Sequence, residues 1–114
     1  MKFQLALSTD KINDIPIIVL DGDLTSEGEP ELKNLFLEIK EKSPLAKLII
    51  NFERLKYLNS SGIASLINII HQVNQTGGNV AFVGLSPHIL NVLSVVGVTD
   101  FVKIFKTNSE AASS

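Results

Sequence analysis

The junction at residues 48–63 restricts this chain more than any other stretch. Leu48-Ile49-Ile50-Asn51-Phe52 is a short apolar run that reads as a buried strand. Ile63, Leu66, Ile67, Ile70 and Val73 follow at spacings of three and four, the period of a helix with one buried face. Between the two patterns lies Tyr57-Leu58-Asn59-Ser60-Ser61-Gly62. Two serines and a glycine therefore stand where a helix begins. Serine is a preferred cap there, because its hydroxyl accepts from an unpaired first-turn N–H. The same free N–H groups and the helix dipole favour negative charge. Ser60 and Ser61 thus have two readings: caps of the helix, or hydroxyls that receive a phosphoryl group.

The rest of the chain repeats this strand-to-helix alternation. Phe3, Leu5 and Leu7 alternate with Gln4 and Ala6, which predicts a half-exposed strand near a sheet edge. Asn13-Asp14 is a turn signal, and Ile15 to Leu20 is a more buried strand with Pro16 at its start. The short link predicts an antiparallel hairpin. Asp21-Gly22-Asp23 is expected to break that strand. Ser26 and Glu29 fit a capping box, with Pro30 pushing the helix start toward Gly28. Leu32, Leu35, Phe36 and Ile39 carry the helical stripe, and Ser43-Pro44 is expected to stop it. A strand over Lys47 to Phe52 leads into a loop that carries the serines.

The second helix is predicted from about Ser61 to Thr76, with Ile63, Leu66, Ile67, Ile70 and Val73 inside and Ile69 off the stripe as a contact residue. Gly77-Gly78 stops it, and Val80 to Val83 is a fourth strand. Ser86 with Pro87 opens a third helix that buries Ile89, Leu90, Leu93 and Val96. Gly97 ends it, with Val98 folding back. Phe101 to Phe105 is a last strand, and Thr107 to Ser114 a tail that forms a short helix or frays. The order β-β-α-β-α-β-α-β predicts an α/β fold with a mostly parallel mixed sheet of about five strands. The loops at Gly22, Asn59-Ser60 and Gly84-Leu85 all follow strands and are expected on one edge, where sites gather in such sheets.

Composition narrows the function. With 114 residues the chain is expected to form one domain over residues 1–114. It has no cysteine, which removes disulfides, thiolate catalysis and cysteine-ligated zinc. A net charge of -2, with no basic block, gives nucleic-acid binding no electrostatic support. No signal-peptide pattern or membrane-length apolar run is present, so a cytoplasmic protein without membrane insertion is expected. His71 and His88 have no second ligand at metal spacing, and Asp21 and Asp23 read as solvated loop residues. No Gly-x-Ser-x-Gly elbow and no glycine-rich phosphate loop occurs. No catalytic residue, metal or cofactor is assigned.

The segment Asn51-Phe52-Glu53-Arg54-Leu55-Lys56-Tyr57-Leu58-Asn59-Ser60-Ser61-Gly62 resembles the signature of the STAS domain, and most of all the bacterial anti-sigma factor antagonists. Members typically read Asp-Leu-Ser-x-Val-x-Phe-Ile-Asp-Ser-Ser-Gly there. The likeness extends through Val19 to Leu24, Gly77-Gly78, Ser86-Pro87 and Gly97 to Phe105, nearly the whole chain. It implies a binding module, not an enzyme. The unphosphorylated form would bind an anti-sigma factor that is also a serine kinase and so release a sigma factor. That kinase would phosphorylate Ser60, and a phosphoserine phosphatase would remove the group. Ser61 would cap the helix, and Gly62 would leave room for the kinase. The expected partner surface is Gly22, Asp23, Asn59, Ser60, Ser61, Gly62 and Ile63, on a monomer. The alternative is a stand-alone STAS subunit that docks on a transporter ATPase without phosphorylation. Two positions depart from the family pattern: Asn59 and Asn51 stand where it has aspartate.

Overall fold

The computed structural model describes residues 2–42 and 45–114. Ser43 and Pro44, the expected stop of the first helix, lie outside the described residues. The elements are β1 (Leu5–Ile12), β2 (Ile15–Leu24), α1 (Glu29–Lys42), β3 (Lys47–Leu58), α2 (Ser60–Gln75), β4 (Asn79–Val83), α3 (Pro87–Val95), a 3-10 turn (Val98–Phe101), β5 (Lys103–Phe105) and α4 (Asn108–Ser113). They form an α/β domain around one five-stranded sheet of order β1-β2-β3-β4-β5. β1 is antiparallel to β2, and every other pair is parallel. The hairpin closes at Asn13 and Asp14, whose φ of 50° and 65° are those of a two-residue turn matched to strand twist.

Period two explains the layers. Ile18 and Leu20, Leu48, Ile50 and Phe52, and Val80 and Phe82 face a core shared with Leu32 and Phe36 of α1, Leu66 and Ile70 of α2, and Ile89 and Leu93 of α3. Ile17, Ile49, Ala81 and Val83 face the other way, against Ala111 of α4. Strands buried on both faces need continuous apolar runs, and β2, β3 and β4 have them. On the helix side the rings of Phe52 and Phe82 meet at 4.6 Å, tilted by 56°.

The back face is closed by six residues. α4 is capped by Thr107, whose Oγ1 accepts from Glu110 N at 3.1 Å. Its small side chains let it lie close to the sheet, with Ala111 fully buried. Lys47 Nζ, at the start of β3, donates to Ala111 O at 3.0 Å and to Ser114 O at 2.7 Å. A cation at the carbonyl end of a helix is favourable. At the other end Asn51 Nδ2 donates to Asn108 Oδ1 at 3.0 Å.

Several elements differ from the sequence reading. Asp21-Gly22-Asp23 does not break β2. The strand runs on to Leu24, with register shifts between Val19 and Asp21 and between Gly22 and Asp23, and with Gly22 at φ 103°. β3 likewise runs to Leu58, so the segment expected as a loop is a paired arm. Ile69 of α2 is buried at 3% exposure while Ile67 is 48% exposed, because α1 packs on the Ile69 side. α3 buries Ile89 and Leu93, whereas Leu90 and the C-cap residue Val96 are exposed; Val98 folds back and is buried, as expected. Phe101 belongs to the 3-10 turn, not to β5. The chain enters α1 through Thr25, whose buried hydroxyl accepts from Glu27 N at 3.3 Å, rather than through Ser26.

Asn51 offers a test of how tightly this frame is specified. It is 4% exposed. Its Nδ2 also donates to Glu53 Oε1, and its Oδ1 accepts from Glu53 N, both at 2.9 Å. A carboxylate has no hydrogen to donate and would face the Glu53 carboxylate. Asn51→Asp is expected to cost about 1–3 kcal/mol, measured as a lower urea midpoint at unchanged slope. An unchanged midpoint would show that the amide donors are not needed.

Candidate functional site

The carboxyl ends of β2, β3 and β4 lie on one edge, and the strand-to-helix junction sits in the middle of it. Asn59 is extended, at φ -111° and ψ -177°, and its Oδ1 accepts from Gly62 N at 3.0 Å. It is therefore the cap of α2. Sequence reasoning placed the cap on Ser61, since serine and asparagine suit the position equally. The backbone decides: Asn59 is the last extended residue, and both serines are already helical. Asn59 O also accepts from Ile63 N at 2.9 Å, closing the first turn.

The junction is fixed from below by β2. Asn59 N donates to Leu24 O at 3.4 Å. Gly62 is buried, and a Cβ there would collide with Leu24 O and lie 2.8 Å from Leu58 Cδ1. The glycine thus lets the helix sit down on the strand end. It faces inward, which removes it from the surface a partner could touch.

Ser60 is left outside. It is the first helical residue and is exposed. The described hydrogen bonds of this turn use Asn59 and Gly62, and Ser61 O with Ser65 Oγ at 3.1 Å, but not the Ser60 hydroxyl. The N–H groups of Ser60 and Ser61 have no intrahelical acceptor, as at any helix start. No acidic residue lies in the first turn. The fold therefore does not consume this hydroxyl, and the local field suits added negative charge.

The other expected residues fall as follows. Ser61, Asn59 and Ile63 are half-buried beside Ser60. Gly22 and Asp23 are half-buried on β2, opposite Leu55 and Tyr57 of the β3 arm. Asp23 N donates to Gln4 O at 2.9 Å, and Gln4 N donates to Asp23 Oδ2 at 3.4 Å. Gly22 has no space for a side chain, because a Cβ would meet Gln4 O. Tyr57 was missed. It is 43% exposed on the strand that delivers Ser60, and its ring stacks on Phe3 at 5.1 Å and 8°. The break in alternation between Leu55 and Leu58, both buried, was the available signal. Arg54 and Asp21 are 3.8 Å apart and largely exposed, a pair of little energetic weight. His71 and His88 are exposed, and no cluster of three or more potential metal ligands occurs among the described residues.

Comparison with known proteins bears on this arrangement. The family model described as STAS domain matches residues 6–111. BtrV of Bordetella bronchiseptica, named as a candidate anti-sigma factor antagonist, is 23% identical over 109 residues, covering 96% of this chain and 93% of its own. The crystal structure of an anti-sigma factor antagonist from Mycobacterium paratuberculosis superposes with a TM-score of 0.84 at 15% identity, over 96% of this chain and 92% of that one. The Bacillus cell fate determinant SpoIIAA in its phosphorylated form superposes with a TM-score of 0.71 at 21% identity, over 98% and 97%.

The junction makes two graded predictions. Asn59→Ala removes a cap and is expected to cost about 1 kcal/mol, whereas Asn59→Asp keeps the acceptor and is expected to be near neutral. Gly62→Ala forces the helix off the strand and is expected to cost more than the lost cap, about 2 kcal/mol or above. Chemical denaturation of the three variants checks the ranking. A neutral Gly62→Ala would show that the contact with Leu24 is loose.

Proposed function

This chain belongs to the STAS domain family, and from that premise we propose that it is an anti-sigma factor antagonist switched by phosphorylation of Ser60. The observation that carries the reading is the exposed hydroxyl of Ser60 at the start of α2, in a turn whose own hydrogen bonds are satisfied without it. The phosphorylated SpoIIAA structure, alike over nearly the whole chain, supports the same reading.

In this reading the unmodified edge binds an anti-sigma factor with serine kinase activity, which releases its sigma factor. The Ser60 oxygen attacks the γ-phosphorus of the kinase's ATP. The new O–P bond forms as the bond to the β-phosphate oxygen breaks, ADP leaves, and the hydroxyl proton passes to a base of the kinase. The chain is ligand and substrate, not catalyst. A phosphoserine phosphatase restores the hydroxyl by hydrolysis.

The physics of the switch is electrostatic. The phosphate adds about -1.5 to -2 charge at pH 7. At the first turn of α2 the fold tolerates it, because the helix dipole opposes no negative charge there and Asn59 is neutral. Pressed against a partner it brings desolvation and repulsion. A loss of ~3 kcal/mol weakens binding by more than 100-fold. Asn59 in place of the family's aspartate keeps the cap and removes a charge adjacent to the acceptor. Among the described residues no helix is long and apolar enough to cross a membrane.

Incubation with ATP and an anti-sigma factor serine kinase from the source organism is expected to add one phosphate, read by intact-mass spectrometry. Ser60→Ala is expected to abolish it and Ser61→Ala to retain it. Undiminished labelling of Ser60→Ala would reject the site. Recovery of a transporter ATPase and no kinase in stable complex would reject the antagonist reading.

A further inference from the structure

Just before the junction, an exposed ring is held in place from another strand. Tyr57 is the one tyrosine of the chain and is 43% exposed. Of the large apolar and aromatic residues that the fold leaves exposed, it is the nearest to Ser60 along the chain. Its ring lies flat against that of Phe3, with centroids 5.1 Å apart and planes 8° from parallel. Phe3 arrives from the far side of β2, on the segment that leads into β1. That segment is pinned to β2: Asp23 N donates to Gln4 O at 2.9 Å, and Gln4 N donates to Asp23 Oδ2 at 3.4 Å. Asp23 is in turn the β2 partner of Tyr57. Gly22 permits the approach, because a Cβ there would collide with Gln4 O.

The ring is thus fixed but wet. Cross-strand stacking steadies the end of a sheet, yet here it leaves much of Tyr57 in water, on the strand that ends at the Ser60 turn. A tyrosine already held in one position gives a partner a large contact at low entropic cost. Its place decides what meets it. Three trans peptide units separate the Cα atoms of Tyr57 and Ser60, so these lie at most about 11 Å apart. A standard interface covers about 800 Å² of each partner, a disc about 16 Å in radius. A protein centred on Ser60 therefore reaches Tyr57 as well.

We infer that Tyr57, steadied by Phe3, is the aromatic anchor by which the serine kinase that engages Ser60 docks on this chain. The inference rests on the antagonist reading of that edge and adds to it a contact that phosphorylation does not alter. The two residues divide the work. Ser60 decides whether the surfaces can close, and Tyr57 holds them once they have closed. The counterpart that fits an uncharged ring of this kind is an apolar pocket on the kinase, which excludes water as the ring enters. Phe3 makes no contact of its own with the kinase in this arrangement; it keeps the Tyr57 ring where the pocket meets it.

Calorimetric titration of the whole chain with the anti-sigma factor serine kinase of the source organism, without ATP, tests this. Tyr57→Ala is expected to weaken binding at least about 30-fold, the loss that marks an anchor. Phe3→Ala keeps the tyrosine but frees its ring, and is expected to weaken binding about 3- to 10-fold. With ATP added, Tyr57→Ala is expected to raise the KM for phosphorylation of Ser60 and to leave kcat within about twofold, whereas a displaced junction would lower kcat. Because the chain has a single tyrosine, ¹³C-tyrosine labelling reads this ring alone, and its signal is expected to shift when the complex forms, a reading that needs no variant. A ring signal unmoved in the complex, binding of Tyr57→Ala within about threefold of the unaltered chain, or a fall in kcat at unchanged KM overturns the anchor and leaves the antagonist reading standing. Absence of any complex with the unaltered chain overturns that reading and the anchor with it.

Discussion

The meeting of α2 with the end of β2 governs the edge that carries Ser60. A helix normally stands off a strand by the width of its side chains. Here Gly62 has none, and the first turn rests against the carbonyl of Leu24. The Asn59 amide reaches the same carbonyl. With the turn held there, the next positions have fixed fates. Position 59 becomes the cap, position 62 is sealed inside, and position 60 is turned to solvent. The exposed hydroxyl is thus a by-product of close packing two residues away.

This separates the structural and chemical duties of a short motif. Asparagine in place of the family's aspartate at position 59 does not weaken the junction, because the carbonyl oxygen of the amide does the capping. Position 51 is different. There the amide nitrogen is used, tying β3 to Glu53 and to the first residue of α4. The two replacements look alike in sequence. One leaves the hydrogen-bond pattern available to aspartate intact, and the other creates a pattern aspartate has no hydrogens to make.

Much of this architecture was readable in advance because burial leaves a local trace. Continuous apolar runs marked β2, β3 and β4, Ser86-Pro87 marked the start of α3, and Asn13-Asp14 marked the hairpin turn. The failures share a cause that is not local. Ile67 and Ile69 are equally good core residues, and only the position of α1 decides between them. Asp21-Gly22-Asp23 has the composition of a strand end, yet pairing with the β3 arm carries the strand through it. Ser60 and Ser61 have the chemistry of caps, but the dihedral angles at Asn59 place the cap two residues before Ser61. The exposure of the serine, the basis of the functional reading, follows from that same displacement.

The back of the sheet has a consequence for the order of assembly. α4 packs against β1, β3, β4 and β5. A helix of six residues is far too short to persist alone in water. It has no surface to settle on until strands drawn from most of the sequence lie side by side. Until that helix docks, the layer of Ile17, Ile49 and Val83 lacks the cover of Ala111, and slow closure would leave apolar surface open to aggregation.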